Sequence, residues 1–571
     1  MTRRESNRRI RMLGALVMAG VGLMALRALW VGGVRADALS AQARNQQERT
    51  FQVPAERGII EDRTGMQLAS DKPTATISAT PYLVTDPGKT ADELAGLLKL
   101  PAKDIESKLS ERGGYAVIAK GVEQDVADKV RDRELTGIDV EDTWTRYLPQ
   151  GRLAAQVVGL VGDKGGQGGI EAQFDSELTG TPGVRQISRD PLGHTLRTLH
   201  ARDPKRGTTV RLTIDSATQL QVERILAETR KRFGAKSASA VVMRPQDGAI
   251  LAMASVPRFN PNDRTRFNPE LARNRPAQDT YEPGSTFKIV AIAGAIEDGK
   301  VTPSTRFNVP ENISLFDRTL RDSHNEGATN WSVTDILERS SNKGTVLIAQ
   351  RLGAQPGKAY LPGTPDSDRR LSEWITRFGF GSKTGVDVPG EEAGRIPDID
   401  KYPEEWSGTS ILNIPIGQGV LVTELQTARA YAAIANGGRL VTPHVVAKVG
   451  GRKIEHPAGQ RVISWKTSRQ MDAMLRKVVS AQGTGAAAEV PGYDVAGKTG
   501  TANKIDPKTG RYSQTRYVAS FVGYVPAGKP QLLIAVTVDE PQQSIFGGDV
   551  AAPAFSRIAQ FSLLRMEIPP A

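Results

Sequence analysis

The pattern of apolar and polar positions first separates an N-terminal segment from the rest of the chain. Residues 12–34 form an apolar run, interrupted once by Arg27, behind an arginine-rich stretch at residues 1–11. A run of this length can cross the hydrocarbon core, which takes ~20 residues, and exceeds the ~7–15 residues of a cleaved signal peptide. A basic flank stays in the cytoplasm. We therefore predict a cytoplasmic tail (1–11), an uncleaved membrane anchor (12–34) and an extracytoplasmic remainder.

The next part of the chain has a mixed pattern. Residues 35–50 are polar and predict a connector. The stretch from Arg57 to Ala69 predicts two short strands around a Gly turn, and the charged stretch 102–133 predicts helix. Since no nucleophile with a matching base occurs before residue 205, we interpret residues 51–205 as a spacer or interaction module.

The remainder, residues 206–571, alternates apolar strands and long helical segments. Ser239–Met243 and Ala249–Ala254 form one predicted hairpin, and Tyr517–Val525 and Gln531–Val538 form another. The two hairpins lie far apart along the chain, with helical patterns between and after them. This arrangement predicts an α+β domain in which early and late segments close one antiparallel sheet and helices cover its faces.

A Pro-Gly pair precedes the most informative helix of this domain. Ser285 follows Gly284 at the first helical turn, and Lys288 lies three residues later on the same face. A capping box would place Glu or Gln there, and a cation opposes the helix dipole. Burial can lower the pKa of an amine until it accepts a hydroxyl proton. The pair therefore indicates an acylatable Ser285 with Lys288 as base, and the simpler alternative is an N-cap Ser beside an unremarkable Lys.

The amino-acid composition excludes several other catalytic mechanisms. The chain contains no Cys and five His among 571 residues, and no two His stand at a zinc-site spacing. Thiolate catalysis, disulfides and Cys-based zinc sites are therefore excluded, and we expect no metal and no cofactor. The formal net charge of +12 favours an anionic neighbourhood such as a membrane surface, an acidic polymer or nucleic acid.

A second motif, Ser340-Ser341-Asn342, lies between two predicted helices. A polar tip between helices can place a hydroxyl and an amide in a cleft, although a helix junction with capping residues explains the motif equally simply. Ser340 and Lys343 also repeat the Ser-x-x-Lys spacing. They are a competing nucleophile pair that lacks the preceding Pro-Gly.

The third motif, Lys498-Thr499-Gly500-Thr501, precedes the late hairpin. In a strand Thr499 and Thr501 point to one face and Lys498 to the other, and such hydroxyls can bind a carboxylate. Residues 492–499 also match the P-loop pattern. A P-loop follows a buried strand and opens a helix, and neither is predicted here, so nucleotide binding remains a distant alternative.

The three motifs in this order resemble those of penicillin-recognising serine acyltransferases. From the membrane anchor to the C-terminus the chain is similar to a class B penicillin-binding protein, and residues 281–284 and 517–524 are more similar to the division-specific branch than to the elongation branch. The resemblance implies the penicillin-recognising serine transferase fold, with an antiparallel sheet covered by helices on both faces. It also implies an elongated N-terminal pedestal domain (51–205), a transpeptidase domain (206–571) and an inner-membrane location.

The resemblance further implies a peptidoglycan D,D-transpeptidase that cross-links stem peptides in septal wall synthesis. Ser285 would attack the carbonyl between two terminal D-alanines, Lys288 would take its proton, and Ser340 would pass a proton to the leaving D-alanine. The implied catalytic residues are Ser285, Lys288, Ser340, Asn342 and Lys498, and the implied substrate-binding residues are Thr499, Gly500 and Thr501. An amine of a second stem peptide would resolve the acyl-enzyme.

The resemblance also implies binding partners, and it leaves alternative functions open. β-Lactams would trap Ser285, and protein partners would be a membrane glycan polymerase and other division proteins, while nucleic acid is not expected. An elongation-type transpeptidase, a D,D-carboxypeptidase that uses water as acceptor, and a β-lactam sensor share this fold and these motifs. The nature of the acceptor therefore stays open at the level of the sequence.

Overall fold

The computed structural model describes residues 3–37, 48–111, 113–162, 164–189, 195–263, 265, 267–315, 318–323, 326–353, 365–401 and 405–570. It divides into two compact units. The first comprises Met1–Glu56 and Gly180–Gly207, and the second comprises Arg57–Thr179 and Thr208–Ala571.

The first unit contains a long N-terminal helix, Arg3–Leu29, that continues as a π-helical turn at Trp30–Val34. Its part from Asn7 to Val34 is long and apolar enough to cross a membrane, and the predicted anchor lies within it. The unit also contains a three-stranded antiparallel sheet of Glu48–Val53, Gly183–Arg189 and Thr195–Arg202. Residues 38–47 of the predicted connector lie outside the described residues.

The second unit begins with the predicted pair of strands, Ile60–Glu61 and Gln67–Ala79, which pair antiparallel. The prediction of helix over residues 102–133 is wrong for the middle of this stretch. Helices at Ala102–Leu109 and Gln124–Arg131 flank a strand, Ala116–Glu123, that pairs with Gln67–Ala79. This strand buries Ala116 and Ile118 and is stabilised by pairing with the long strand.

A buried ion-pair network fixes the start of this unit. The Arg57 guanidinium donates to Glu171 at 2.7 Å, and Arg146 donates to the other carboxylate oxygen of Glu171 at 2.6 Å. Arg146 also pairs with Asp71 at 3.1 Å, with side-chain exposures of 4% and 5%. The network connects segments that lie far apart in sequence, so it stabilises the start of the unit.

A five-stranded antiparallel sheet forms the centre of the unit, with its strands and the neighbouring helices labelled here in chain order. The strands are β1 (Ser237–Met243), β2 (Ile250–Val256), β3 (Ala496–Ile505), β4 (Tyr512–Val525) and β5 (Leu532–Asp539). The helices are α1 (Ser216–Arg232), α2 (Lys288–Glu297), α3 (Val333–Glu338), α4 (Asn342–Gln350), α5 (Glu424–Ala435) and α6 (Ala552–Arg565). The strand order β2-β1-β5-β4-β3 confirms the predicted closure by two distant hairpins and leaves β3 at an edge.

Both faces of this sheet are buried. Alternate residues of β1 belong to different cores: Ala240 and Val242 pack with apolar residues of α1 and α6, whereas Val241 and Met243 pack in the core that contains α2. Strands buried on both faces are apolar at successive positions rather than at alternate ones. The predicted α+β fold with helices on both faces is confirmed.

Further helices and strands complete the second unit. The further helices are Pro87–Leu98, Ala155–Val158, Gly169–Gln173, Asp175–Leu178, Pro269–Ala272, Arg275–Gln278, Pro365–Arg377, Ser410–Asn413, Trp465–Val478 and Gly547–Val550. The further strands are Ile138–Tyr147, Leu160–Gly162, Gly165–Gln167, Val210–Leu212, Thr280–Tyr281, Arg306–Val309, Ile313–Leu315, Arg318–Leu320, Thr329–Ser332, Val422–Thr423, Arg439–Leu440, Val446–Val449, Arg452–Lys453 and Gln460–Arg461.

Candidate active site

Ser285 lies in a tight 3₁₀ turn, Gly284–Phe287, that leads directly into α2. Gly284 has φ +55°, and a Cβ there would lie 2.7 Å from the Thr501 carbonyl oxygen. Gly417 has φ +76°, and a Cβ there would lie 2.3 Å from the Gly284 carbonyl oxygen. The Gly284 N–H donates to the Gly417 carbonyl at 3.1 Å. Two glycines therefore let three chain segments meet at the turn that carries Ser285.

Lys288, the first residue of α2, is fully buried. Its Nζ donates to the Ser340 carbonyl oxygen at 2.5 Å and to Ser340 Oγ at 3.2 Å. Burial lowers the pKa of Lys288 to about 7, against the opposing charge of Asp322. An amine with this pKa is largely neutral just above neutral pH, and it can then accept a proton.

Ser340 lies at the tip between α3 and α4, and Asn342 is the first residue of α4, as predicted for a helix–polar tip–helix arrangement. Ser340 has φ +59°, a conformation that non-glycine residues seldom adopt outside functional or tightly held positions. Asn342 Nδ2 donates to the Arg321 carbonyl at 3.1 Å, and Ser341 caps α4 by accepting from the Gly344 N–H. The Ser341 N–H donates to the Ile336 carbonyl of α3 at 2.9 Å, so both helices hold the tip.

Asp322 is a functional candidate that no sequence pattern indicated. Its carboxylate accepts from the Asn342 N–H at 2.5 Å, from Ser341 Oγ at 2.9 Å and from the Lys343 N–H at 3.1 Å. It also forms an ion pair with Lys343 Nζ, which donates to the Glu311 carbonyl. These contacts engage Lys343, the base of the competing nucleophile pair, and they anchor the tip that carries Ser340.

The predicted Lys-Thr-Gly-Thr motif lies on β3. Lys498 is fully buried, and its Nζ donates to the Thr499 carbonyl oxygen and Oγ1, both at 3.2 Å. Burial, together with the charge of Lys288, lowers the pKa of Lys498 well below its ordinary value. Thr499 Oγ1 lies 2.9 Å from Thr484 Oγ1, and Thr501 Oγ1 accepts from the Gly547 N–H at 3.2 Å.

Gly500 allows β3 to pack closely against its neighbours. A Cβ at this position would lie 2.4 Å from Ser520 Oγ and 2.9 Å from Thr286 Cγ2, on β4 and the nucleophile turn. The strand continues without a break to Ile505, so no helix follows Thr499 and the geometry of a P-loop is not formed.

The predicted site residues lie in and around a cleft of about 550 Å³. Five of the eight predicted site residues line it, namely Ser285, Ser340, Asn342, Thr499 and Thr501. The buried amines of Lys288 and Lys498 contact the cleft residues Ser340 and Thr499. The arrangement combines a hydroxyl at a helix N-terminus, a largely neutral amine and a row of strand hydroxyls, which suits acyl transfer from a substrate with a carboxylate.

Comparison with protein families gives two matches along the chain. Residues 238–560 match the penicillin binding protein transpeptidase domain. Residues 52–212 match the penicillin-binding protein dimerisation domain. The first match includes all eight predicted site residues.

Individual relatives cover nearly the whole chain. Stage V sporulation protein D of Bacillus subtilis is 34% identical over 95% of this chain and 83% of its own length. Peptidoglycan D,D-transpeptidase FtsI of Escherichia coli is 30% identical over 98% of this chain and 92% of its own length. The crystal structure of penicillin-binding protein 3 from Mycobacterium tuberculosis in complex with aztreonam superimposes with a TM-score of 0.70 at 30% identity, over 91% of this chain and 98% of that chain.

Proposed function

This chain belongs to the class B penicillin-binding proteins, which are peptidoglycan D,D-transpeptidases, and from this membership we propose that it cross-links stem peptides during septal wall synthesis. The observation that carries the proposal is the cleft, where Ser285 lies with Ser340 and a buried Lys288 contacts the Ser340 hydroxyl. We propose residues 51–205 as a pedestal domain and residues 206–571 as the transpeptidase domain.

In the proposed acylation step Ser285 Oγ attacks the carbonyl carbon between the two terminal D-alanines. Neutral Lys288 accepts the hydroxyl proton as the new ester bond forms. The N–H groups of Ser285 and Thr501 stabilise the oxyanion, an interaction worth ~2.7–4 kcal/mol per donor in serine proteases. The peptide bond then breaks as Ser340 donates its hydroxyl proton to the leaving amine of D-alanine and takes a proton from protonated Lys288, its hydrogen-bond partner. Asn342 and Lys498 hold this hydroxyl network in place.

Substrate orientation depends on β3. The hydroxyls of Thr499 and Thr501 bind the terminal carboxylate, and Gly500 keeps the strand close to the nucleophile turn. As an edge strand, β3 can also pair with an extended peptide backbone. β-Lactams carry a similar carboxylate beside a reactive amide, so they acylate Ser285 and leave a stable ester.

We propose that the N-terminal helix anchors the protein in the inner membrane, with residues 1–11 in the cytoplasm and the catalytic domain outside. The support is the length of the candidate span Asn7–Val34 and the arginines of residues 1–11, which precede its apolar run. The septal role is supported by the motif similarity of residues 281–284 and 517–524 to the division-specific branch. A membrane glycan polymerase and other division proteins are the proposed partners, and an elongation role is the alternative.

The acceptor is tested with a stem-peptide donor that ends in D-Ala-D-Ala, incubated with and without a D-amino acid acceptor. We expect an exchange product in which the acceptor replaces the terminal D-alanine, and no product with the Ser285→Ala protein. Release of D-alanine without exchange would instead assign a carboxypeptidase activity. Mass spectrometry of the peptide products distinguishes the two outcomes.

The pKa of Lys288 predicts a pH dependence for acylation. Because only the neutral amine accepts a proton, the acylation rate should rise with pH and level off above about 7, the pKa of Lys288. The charge of Asp322 raises this pKa, so Asp322→Asn should move the rise to lower pH. The rate of acylation by a fluorescent penicillin, measured between about pH 5.5 and 9, gives both profiles.

A matched control for this profile is Glu326→Gln. Glu326 is an exposed carboxylate on the same segment that pairs with Arg339. Neutralising Glu326 should leave the acylation rate rising over the same pH range as in the parent protein. An acylation rate that still rises at about pH 9 in the parent, as for a base with the ordinary pKa of a lysine, about 10, would show that the pKa of Lys288 is not lowered.

A further inference from the structure

Thr484 lines the substrate cleft, and the mechanism described above gives it no role. It lies between the helix Trp465–Val478 and the short 3₁₀ helix Ala486–Ala488. Its Oγ1 lies 2.9 Å from Thr499 Oγ1, and within the described ranges this hydroxyl forms no other hydrogen bond. The Thr484 hydroxyl is therefore directed at a residue that the proposed function assigns to the substrate carboxylate.

Close packing fixes the segment that carries Thr484. The Gly485 N–H donates to the Val478 carbonyl at 2.9 Å. A Cβ at Gly483 would lie 2.1 Å from the same carbonyl oxygen, and a Cβ at Gly548 would lie 2.6 Å from the Thr484 carbonyl oxygen. Glycine at positions 483 and 548 therefore lets the segment pack closely on both sides. The position of the Thr484 hydroxyl is set by this packing before a substrate binds.

The hydrogen-bonding capacity of Thr499 determines what Thr484 must do. A hydroxyl has one proton and two lone pairs, whereas an ionised carboxylate accepts hydrogen bonds and donates none. Lys498 Nζ donates to Thr499 Oγ1 at 3.2 Å and so takes one lone pair. Without a ligand, either threonine can be the donor in the hydrogen bond between them. A bound carboxylate takes the Thr499 proton, which leaves the second lone pair of Thr499 for the proton of Thr484.

We propose that Thr484 is a positioning residue for the carboxylate of substrates and β-lactams: its hydroxyl donates to Thr499 Oγ1 and thereby directs the Thr499 O–H at the carboxylate. This inference rests on the proposed function, in which Thr499 binds that carboxylate. Successive hydrogen bonds polarise one another, so donation by Thr484 strengthens the hydrogen bond from Thr499 to the ligand. Without the Thr484 hydroxyl, the Thr499 hydroxyl loses the contact that orients it.

The test compares a penicillin with its methyl ester, which has the same reactive amide and no anionic carboxylate. Intact-protein mass spectrometry gives the second-order rate constant for acylation of Ser285 by each compound, with the ester at concentrations where its slower reaction can be followed. Thr484→Val keeps the branched shape and removes the hydroxyl. It should lower the rate constant for the penicillin by ~3–10-fold and leave that for the ester within ~2-fold of the parent. An unchanged rate with the penicillin, or equal losses with both compounds, would overturn the proposal.

A double-mutant cycle shows whether Thr484 acts through Thr499. Once Thr499→Val has removed the hydroxyl that Thr484 orients, replacing Thr484 as well should have no further effect. The double variant should therefore react with the penicillin within ~2-fold of Thr499→Val alone. Losses that multiply in the double variant would show that Thr484 contacts the ligand itself, and they would overturn the positioning role.

Two further variants serve as controls. Thr484→Ser retains the hydroxyl and should restore the rate constant for the penicillin to within ~2-fold of the parent. Ser480→Ala removes a hydroxyl of the same segment that instead donates to Glu338 of α3 at 3.2 Å. It should change the rate constants for the penicillin and the ester by the same factor. If calorimetry shows that Thr484→Val does not fold, Thr484→Ala takes its place with the same expected results.

Failure of this proposal is distinguishable from failure of the proposed function. A parent protein that a penicillin does not acylate at Ser285 would contradict the proposed function. A parent that is acylated at Ser285, with an unchanged rate in Thr484→Val, would contradict the positioning role alone.

Discussion

Replacing Lys288 with Met should lower the rate of acylation by penicillin by ~10²–10⁴-fold, the range that general acid–base catalysis contributes. Met has a similar length and no proton acceptor at its end. Without the amine, Ser285 must attack as a neutral hydroxyl while its proton has no nearby acceptor. The Lys288 amine also contacts Ser340, so proton transfer to the leaving group would be lost in the same variant.

The same variant separates a catalytic role from a structural one. Lys288 is completely buried, and burying an amine is unfavourable compared with burying a thioether. The unfolding temperature of Lys288→Met should therefore stay within ~4 °C of the parent or rise. Acylation is followed as covalent fluorescence from a labelled penicillin, and unfolding by calorimetry. Acylation within tenfold of the parent rate would rule out Lys288 as the base.

Replacing Gly417 with Ala should also lower acylation strongly, by ~10²-fold, because small displacements of a nucleophile have effects of that size. The added Cβ would lie 2.3 Å from the carbonyl oxygen of Gly284. The Gly284–Gly417 hydrogen bond must then break or the turn that carries Ser285 must move. The loss should appear in the acylation rate of a protein that still unfolds cooperatively.

Gly419→Ala is the matched control for this experiment. Gly419 has φ +73°, close to the +76° of Gly417, but nothing lies within 4 Å of the position that its Cβ would take. Both variants therefore carry the same left-handed backbone strain of ~1–2 kcal/mol, and only Gly417→Ala adds a clash. Acylation should remain within a few-fold of the parent in Gly419→Ala. Equal losses in the two variants would attribute the effect to strain alone.

Features that depend on local pattern could be predicted from the sequence. The Pro-Gly pair and the apolar spacing after it placed Ser285 and Lys288 at a helix start, and the structure has a 3₁₀ turn followed by α2. The late hairpin was equally visible, because its apolar runs end at turn residues. The two distant hairpins also predicted one sheet closed by early and late segments, which the structure has.

Features that depend on distant partners could not be predicted. Asp322 has no pattern around it, and its importance comes from accepting hydrogen bonds from Ser341, Asn342 and Lys343, about twenty residues later. The strand Ala116–Glu123 was missed because it forms by pairing with residues 67–79, a partner that its local pattern does not reveal. The need for glycine at position 417 arises from the backbone of Gly284, more than a hundred residues earlier. These contacts exist only in the folded chain.

The most direct test of the central claim is to label the full-length protein with a fluorescent penicillin and to map the adduct by mass spectrometry of its peptides. The claim is that Ser285 is the nucleophile, activated by Lys288. We expect one adduct, on the peptide that contains Ser285, and no label on the Ser285→Ala protein. An adduct on Ser340, or a label that persists in Ser285→Ala, would contradict the assignment.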